Sequence, residues 1–188
     1  MEPKVGFIGL GVMGLPMAGH VAEKFSTTVY DVSSDPMKKF PEDARGKSVV
    51  DVAQRSDLVL LSLPSSHIVE EVVLGSEGLI TALKPGSAII DNSTTDPSLS
   101  RKMAKALAEK GIDFLDAPVS GGEGGAQKAS LSIMVGGSEE ILERYLPVLQ
   151  AMGTTIVRVG EVGSGGVAKL VNNMIVGSTF TVAAEGFA

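Results

Sequence analysis

Hydrophobic residues in this chain form short runs that are separated by longer segments with helical spacing. The short runs predict β-strands at residues 5–8, 28–30, 58–63, 88–90, 113–115, 131–135 and 155–159. The first five of these runs are almost continuously apolar, which is typical of strands that are buried on both faces of a parallel sheet.

The segments between these runs have the apolar spacing of helices. They predict helices at 14–24, 35–40, 68–74, 97–110, 138–152 and 167–188. Asp96 or Ser98 gives the start signal of the helix at 97–110, and Gly111 follows its end. Ser138 begins a capping pattern in the same way. Alternating strands and helices predict βαβ units, and therefore a Rossmann-type, doubly wound, mostly parallel α/β sheet.

The last predicted helix differs from the others because its apolar residues are dense. It follows a glycine-rich stretch at 163–166 and carries Leu170, Val171, Met174, Ile175 and Val176 within two turns. A helix of this kind normally packs against more protein than this chain contains. We therefore expect a Rossmann-like domain at 1–162, and at 163–188 the truncated start of an interdomain helix whose all-α C-terminal domain is absent. We also expect the full-length form to be a homo-oligomer.

Composition and charge exclude several classes of function. The 188 residues have a formal net charge of −6, which argues against nucleic-acid binding. The absence of cysteine excludes thiol nucleophiles, and two histidines are too few for an ordinary histidine metal site, so we expect no metal. We find no apolar run near the ~18–20 residues that span a bilayer, so we expect no membrane partner. No targeting segment is visible, and the sequence does not choose between the cytoplasm and the mitochondrial matrix.

A glycine loop follows the first predicted strand and opens the first predicted helix. Its residues are Gly9, Leu10, Gly11, Val12, Met13 and Gly14. In the dinucleotide fingerprint, the first glycine allows the tight turn, the second lets the backbone approach the pyrophosphate, and the third allows close packing of the helix. The N-terminus of the helix then offers free N–H groups to the phosphates. The loop predicts a nicotinamide dinucleotide site.

An acidic residue at the end of the second strand suggests which dinucleotide is bound. Asp31 lies 22 positions after Gly9, near the spacing of the acid that binds the ribose hydroxyls. Its charge would repel a 2′-phosphate, and no arginine occupies positions 32–34. We therefore expect NAD rather than NADP.

Lys169 and Asn173 lie one helical turn apart, so both side chains can face the same cleft. A lysine with a pKa near neutrality can take a proton from a hydroxyl during hydride transfer, or return one to an alkoxide. An asparagine can orient the substrate or the amine. We predict that these two residues are catalytic, with Lys169 as the general acid and base.

A second glycine-containing segment follows the strand predicted at 113–115. Ser120, Gly121 and Gly122 come shortly after this strand, and ligands of open α/β sheets bind at the carboxyl ends of strands. Successive glycines can expose N–H groups to a carboxylate. We predict that these three residues bind the substrate carboxylate.

Together these motifs resemble the β-hydroxyacid dehydrogenases, a family that includes 3-hydroxyisobutyrate dehydrogenase, tartronate semialdehyde reductase and, more distantly, 6-phosphogluconate dehydrogenase. The resemblance runs from the glycine loop through Leu63-Pro64, 91–94 and 116–122 to 169–173, and so covers almost the whole chain. It implies that Leu63, Pro64 and Thr94 line the nicotinamide side of the cofactor site. It also implies the roles given above for Lys169, Asn173 and 120–122.

The resulting hypothesis is an oxidoreductase that uses NAD to oxidise a small 3-hydroxy acid, with 3-hydroxyisobutyrate as the best guess, to its semialdehyde, or that catalyses the reverse reaction. Two alternatives stay open. One is reduction of tartronate semialdehyde, and the other is a truncated, non-catalytic dinucleotide-binding module.

Overall fold

The computed structural model describes residues 2–187 as one mostly parallel α/β sheet with helices on both faces, which confirms the predicted fold class. Its strands are β1 (Val5–Ile8), β2 (Thr27–Tyr30), β3 (Leu58–Leu61), β4 (Ala88–Asp91), β5 (Asp113–Asp116), β6 (Val119–Ser120), β7 (Leu131–Gly136) and β8 (Gly153–Gly160). Its helices are α1 (Gly14–Ala22), α2 (Ser34–Met37), α3 (Val49–Gln54), α4 (Ser66–Leu74), α5 (Leu79–Ala82), α6 (Pro97–Ala108), α7 (Gly122–Gln127), α8 (Glu139–Leu149) and α9 (Ser164–Gly186).

The strand order explains where a ligand can bind. Strands β2, β1, β3, β4 and β5 are adjacent in that order and parallel. Beyond β2, a single parallel bridge joins Val29 to Arg45. If this bridge is counted as a rudimentary third strand, the order is the 3-2-1-4-5-6 of dinucleotide-binding folds. The connections therefore change direction between β1 and β3, and the crevice above that point is the expected ligand site.

The five parallel strands end in register at one edge of the sheet. Tyr30, Ile8, Leu61, Asp91 and Asp116 are paired across neighbouring strands and form one continuous row. This terminal row brings together the loops that follow all five strands, although these loops are far apart in the sequence.

Side chains that alternate along each strand fill two separate cores, one on each face of the sheet. Phe7, Leu60, Ile90 and Leu115 belong to the core under α1 and α8. The residues next to them in sequence point to the other face, where the core lies under α3, α4, α5 and α6. Burial on both faces accounts for the nearly continuous apolar runs of the central strands.

The structure differs from the sequence predictions in the strand directions beyond β5 and in several short elements before and after it. Strand β7 runs antiparallel to β5 and β6, whereas β8 runs parallel to β7. Strand β6 and helices α3, α5 and α7 were not predicted, because each is short and α7 is rich in glycine, a poor helix former. The strand predicted at 58–63 ends at Leu61, so Leu63 and Pro64 lie in the loop after it. Ser138 precedes α8 but makes no side-chain capping bond, so the predicted capping pattern is wrong.

Helix α9 corrects the statement that no segment approaches the length of a membrane span. Its 23 residues have a mean hydropathy of 1.2, which would suffice by length and composition alone. Core helices of proteins outside membranes pass the same test, so it does not by itself assign this helix to a bilayer. Only its first turn is buried, and large apolar residues from Val167 to Phe187 are exposed. Residue 188 of the predicted helix lies outside the described residues. The domain boundary at 162 and the homo-oligomer stay predictions.

Candidate functional site

A groove of about 1130 Å³ lies above the carboxyl ends of β1, β2 and β3, at the expected crevice. This volume exceeds the ~300–1,000 Å³ that is typical of pockets for drug-sized ligands. A dinucleotide is a large ligand and needs a groove of this size. Of the predicted cofactor residues, those that line it are Gly9, Gly11, Val12, Met13, Gly14, Asp31, Leu63 and Pro64.

The three glycines of the loop serve different purposes. A Cβ on Gly9 would lie 2.2 Å from the Ser62 carbonyl oxygen, and a Cβ on Gly14 would lie 1.9 Å from the Gly9 carbonyl oxygen. Gly9 also has a φ of +96°. The fold itself therefore requires both residues to be glycine. Gly11, by contrast, has nothing within 4 Å of the Cβ position, so its missing side chain leaves open space in the groove.

Backbone donors point to an anion at the start of α1. The N–H groups of Gly11, Val12 and Met13 have no hydrogen-bond partner within residues 2–187. Helix α1 begins at Gly14, so the positive end of its dipole lies at the same place. Free N–H groups at a helix N-terminus form a binding site for phosphate.

The Asp31 carboxylate stands beside this loop and is held by backbone donors. Its Oδ2 accepts a hydrogen bond of 2.6 Å from the N–H of Leu10, and its Oδ1 accepts one of 2.8 Å from the N–H of Ser33. Leu10 was predicted to be a cofactor residue. However, its side chain is buried and does not line the groove, so it acts here by fixing Asp31.

The far end of the groove was not predicted from the sequence. Its walls come from the start of α3, from α4 and from the turn after α4, and they include Val49, Ile68, Glu71, Val72 and Glu77. The serines before the two helices, Ser48 and Ser65, accept capping hydrogen bonds from backbone N–H groups. Those capping serines, each followed by an apolar helix, were the signal available in the sequence.

The loop after β4 connects the groove to the middle of the sheet edge. The Ser93 Oγ accepts a hydrogen bond of 2.9 Å from the N–H of Leu63. Asn92 Nδ2 donates to the Ala117 carbonyl oxygen at 2.8 Å, and its buried Oδ1 has no partner among the described residues. Thr94 is exposed and is not among the residues that line the groove, and its role beside the nicotinamide stays a prediction.

Asp91 is buried at the end of β4 without a cationic partner among residues 2–187. Its carboxylate accepts hydrogen bonds from the Ser93 N–H at 2.9 Å and from the Thr95 hydroxyl at 2.6 Å. Burial raises the pKa of the Asp91 carboxyl, and these two hydrogen bonds oppose that rise. Asp91 is therefore a buried carboxyl for which the charged form is disfavoured.

Helix α9 begins beside Asp116, at the other end of the terminal row, and carries both predicted catalytic residues. Lys169 is half-buried and Asn173 is exposed. Burial lowers the pKa of Lys169, which favours the neutral amine that a base requires. No ion pair involves Lys169 within the described residues. Neither residue lines the groove.

The predicted carboxylate-binding residues lie where β6 meets α7. Ser120 ends β6, and Gly121 and Gly122 have φ values of +137° and +62° and are exposed. In the part of the chain that the structure describes, the N–H groups of Gly122 and Glu123 have no partner. These donors fit an anion, although Ser120, Gly121 and Gly122 do not line the groove either.

The comparisons with known proteins agree with the groove. Residues 4–160 match the family model described as the NAD binding domain of 6-phosphogluconate dehydrogenase. The chain belongs to this family.

Within this NAD-binding family, the most similar proteins include dehydrogenases of hydroxy acids. The chain is 44% identical over 186 residues to 2-(hydroxymethyl)glutarate dehydrogenase of Eubacterium barkeri, covering 97% of this chain and 62% of that protein. It is 41% identical to mitochondrial 3-hydroxyisobutyrate dehydrogenase of Mus musculus, covering 96% and 55%. The chain thus spans less than two thirds of the length of these relatives.

Solved structures of the family have the same fold. The 3-hydroxyisobutyrate dehydrogenase of Mycobacterium tuberculosis, determined with L-serine, has a TM-score of 0.91 and 32% identity, over 100% of this chain and 64% of that one. These names confirm the resemblance to the β-hydroxyacid dehydrogenases. Structures with the same fold include complexes with NAD+ and with NADP+, so they do not distinguish the two cofactors.

The residues present fit a dinucleotide, because the groove combines an open glycine, free N–H donors and a fixed acid.

If Gly11 is kept small for the ligand and not for the fold, we expect Gly11→Ala to leave the free energy of unfolding within about 0.5 kcal/mol of the unmutated value. We expect the same change to weaken NADH binding by at least about tenfold, or ~1.4 kcal/mol. Urea unfolding and fluorescence titration with NADH measure the two effects. Gly14→Ala is the matched control and should destabilise the fold. Unchanged NADH affinity in Gly11→Ala would contradict this assignment.

The raised pKa of the buried Asp91 carboxyl leads to a second prediction, which concerns how the stability of the fold depends on pH. A raised pKa means that the folded state holds the proton more tightly, so this contribution to stability is fully present below the ordinary value of 3.8 and is lost as pH rises through the raised pKa. We therefore expect Asp91→Asn to become more stable relative to the unmutated protein as pH rises from about 4 to 8. Urea unfolding at several pH values measures this difference.

Asp96→Asn is the matched control, because we expect its stability relative to the unmutated protein to change with pH in the opposite direction. Hydrogen bonds from Ser98 lower the pKa of Asp96, so its contribution to stability is present above the ordinary pKa and is lost as pH falls. Relative to the unmutated protein, Asp96→Asn should become less stable as pH rises from about 2 to about 4, with no further change above that range. A pH-independent difference for Asp91→Asn would contradict the prediction for Asp91.

Proposed function

We propose that this chain is the cofactor-binding part of an NAD-dependent dehydrogenase that oxidises a small 3-hydroxy acid to its semialdehyde or reduces the semialdehyde, with 3-hydroxyisobutyrate as the first candidate. One observation supports this proposal more than any other. A half-buried lysine, Lys169, lies on a helix that is anchored to the same sheet edge as the glycine loop. Membership of the family and the names of the relatives support it.

The chemistry requires a base close to the hydroxyl of the substrate. When bound, the oxidised nicotinamide supplies the hydride acceptor. Lys169 in its neutral form accepts the hydroxyl proton as the carbonyl forms, and its ammonium returns that proton in the reverse direction. The ammonium also stabilises negative charge on the substrate oxygen. Asn173, one turn further along α9, is placed to orient the oxygen or the amine.

The names of the relatives narrow the substrate class. Both 3-hydroxyisobutyrate and 2-(hydroxymethyl)glutarate carry a CH₂OH group on the carbon next to a carboxylate, and so does the L-serine of the Mycobacterium tuberculosis structure. Tartronate semialdehyde, the alternative substrate, yields a compound of the same kind on reduction. We infer a 2-substituted 3-hydroxypropanoate, whose carboxylate would meet the exposed N–H groups near Gly122.

The charge of the groove favours NAD over NADP in this proposal. No lysine or arginine is among the described residues that line it, whereas Asp31, Glu71 and Glu77 are acidic. A 2′-phosphate beside Asp31 would add negative charge to a wall that is already negative. The adenosine ribose of NAD can instead donate hydroxyl hydrogen bonds to this carboxylate.

Replacing the lysine tests the reaction. We expect Lys169→Ala to lower kcat by about 10²–10⁴-fold, the usual contribution of a general base, while the Kd for NADH changes by less than about twofold. Lys169→Arg should be equally impaired, since a guanidinium does not release its proton. Turnover is measured with a panel of 2-substituted 3-hydroxypropanoates, in this chain and in a longer form with the C-terminal length of its relatives.

Lys102→Ala is the control, because Lys102 is an exposed lysine that forms an ion pair with Glu70. It should retain full activity. Full activity in Lys169→Ala would refute the assigned base. NADH binding without turnover in either form of the unmutated protein would favour the non-catalytic module.

Cofactor choice is tested at Asp31. We expect the unmutated chain to bind NADH at least about tenfold more tightly than NADPH, and Asp31→Asn to reduce this ratio by about tenfold, because the change removes the charge and keeps the size. Fluorescence titration with both cofactors measures the ratio. Glu140→Gln, which removes an exposed charge on α8 outside the groove, should leave the ratio unchanged. An unaltered ratio in Asp31→Asn would show that other residues select the cofactor.

A further inference from the structure

We propose that Asp116 is a positioning residue, which fixes the first turn of α9 to the sheet edge and thereby sets the place and burial of Lys169. This role rests on the proposed function only in that Lys169 is taken as the base. The Asp116 carboxylate contacts a segment almost fifty residues later in the sequence.

The two oxygens of this carboxylate hold the start of the helix. Oδ1 accepts a hydrogen bond of 2.7 Å from the N–H of Gly163, and Oδ2 accepts one of 2.8 Å from the N–H of Gly166. Asp116 itself is buried, with 2% of its surface exposed. Gly163, the residue before the helix, has no side chain that could cap the first turn. The carboxylate from β5 therefore acts as the cap of α9, at the positive end of a helix of 23 residues.

Glycines around this carboxylate let the first turn of α9 approach the sheet closely. A Cβ on Gly165 would lie 2.4 Å from the Met134 carbonyl oxygen and 2.6 Å from the Asp116 carbonyl oxygen. A Cβ on Gly136, which pairs with Asp116 across the sheet, would lie 2.4 Å from the Asp116 Oδ1. The first turn of α9 thus rests directly on the backbone of the sheet. Because Lys169 follows one turn later on a rigid helix, this junction determines where the amine lies.

Hydrogen bonds between the loops after β5, β4 and β3 connect the start of α9 to the cofactor groove. The N–H of Ala117, the next residue after Asp116, donates to the Asp91 carbonyl oxygen at 2.7 Å, and its own carbonyl oxygen accepts from Asn92 Nδ2. Ser93 then holds the N–H of Leu63, which lines the groove. Asp116 therefore links the lysine helix to the wall of the groove without touching the groove itself.

The direct test is Asp116→Asn. An amide has one acceptor oxygen and one donor nitrogen, so one of the two glycine N–H groups loses its acceptor. We expect hydrogen exchange at the N–H of Gly163 or Gly166 to become at least about tenfold faster. The pKa of Lys169, followed by NMR of a labelled side chain, should rise toward the ordinary value of 10.5 as the amine loses burial. NADH affinity should stay within about twofold, and in the longer form kcat should fall by at least about tenfold while the KM for NAD is kept.

Asp113→Asn is the matched control, since Asp113 lies on the same strand and forms a partly exposed ion pair with Arg144. It should change neither the exchange rates nor the pKa of Lys169. Unchanged exchange together with an unchanged Lys169 pKa in Asp116→Asn would overturn the proposal, even in an active enzyme. Absence of turnover in every form would instead count against the proposed function and leave these NMR results valid.

A measurement on the unmutated chain decides the matter if Asp116→Asn does not fold. The amide protons of Gly163 and Gly166 are hydrogen-bonded to the Asp116 carboxylate. Their chemical shifts should therefore change with pH, and the midpoint of this change should equal the midpoint for the Asp116 carboxyl carbon. Coincident midpoints support the proposed cap. Amide shifts that do not respond when the carboxyl titrates would overturn it.

Discussion

The register of five parallel strands is the constraint on which the candidate site depends. Because Tyr30, Ile8, Leu61, Asp91 and Asp116 are paired in one row, the chain leaves the sheet at the same level five times. The residues in this row and just after it bear the chemistry, from Asp31 after β2 at one end to Asp116 at the other. A shift of one residue in any strand would turn its side chains to the opposite face and move its loop out of line.

Backbone N–H groups are the donors that the groove offers to an anion. The groove has no basic residue among its described lining residues, and the chain as a whole is acidic. Free donors at the start of α1 can meet phosphates, whereas the donors at the start of α9 are already occupied by the Asp116 carboxylate. The same feature, a helix N-terminus above the sheet, thus serves a ligand in one place and the fold in another.

The sequence predicted the parts of the molecule that depend on local patterns. Apolar runs located the central strands, and the spacing of Gly9, Gly11, Gly14 and Asp31 located the groove, because each follows from geometry within one βαβ unit. The antiparallel direction of β7 was not predicted, since it depends on pairing across the sheet and not on local pattern. The partner of Asp116 was missed for the same reason, as 47 residues separate it from Gly163. In the loop after β4, the hydrogen bond from the N–H of Leu63 to Ser93 was missed as well, because it joins two different βα loops.

The glycines of the sheet edge differ in whether the fold or a ligand explains why they carry no side chain. Gly9, Gly14, Gly136 and Gly165 would each place a Cβ against backbone of the same chain, so the fold alone explains them. Gly11 and Gly122 would meet nothing within 4 Å, and each stands beside N–H groups that have no partner within residues 2–187. Gly122 has a φ of +62°, which favours glycine by itself, so of these two only Gly11 is small for a reason that the fold does not supply. By this criterion Gly11 marks the groove as the place where a group from outside the chain fits, whereas the carboxylate site at 120–122 and the role of Lys169 stay proposals.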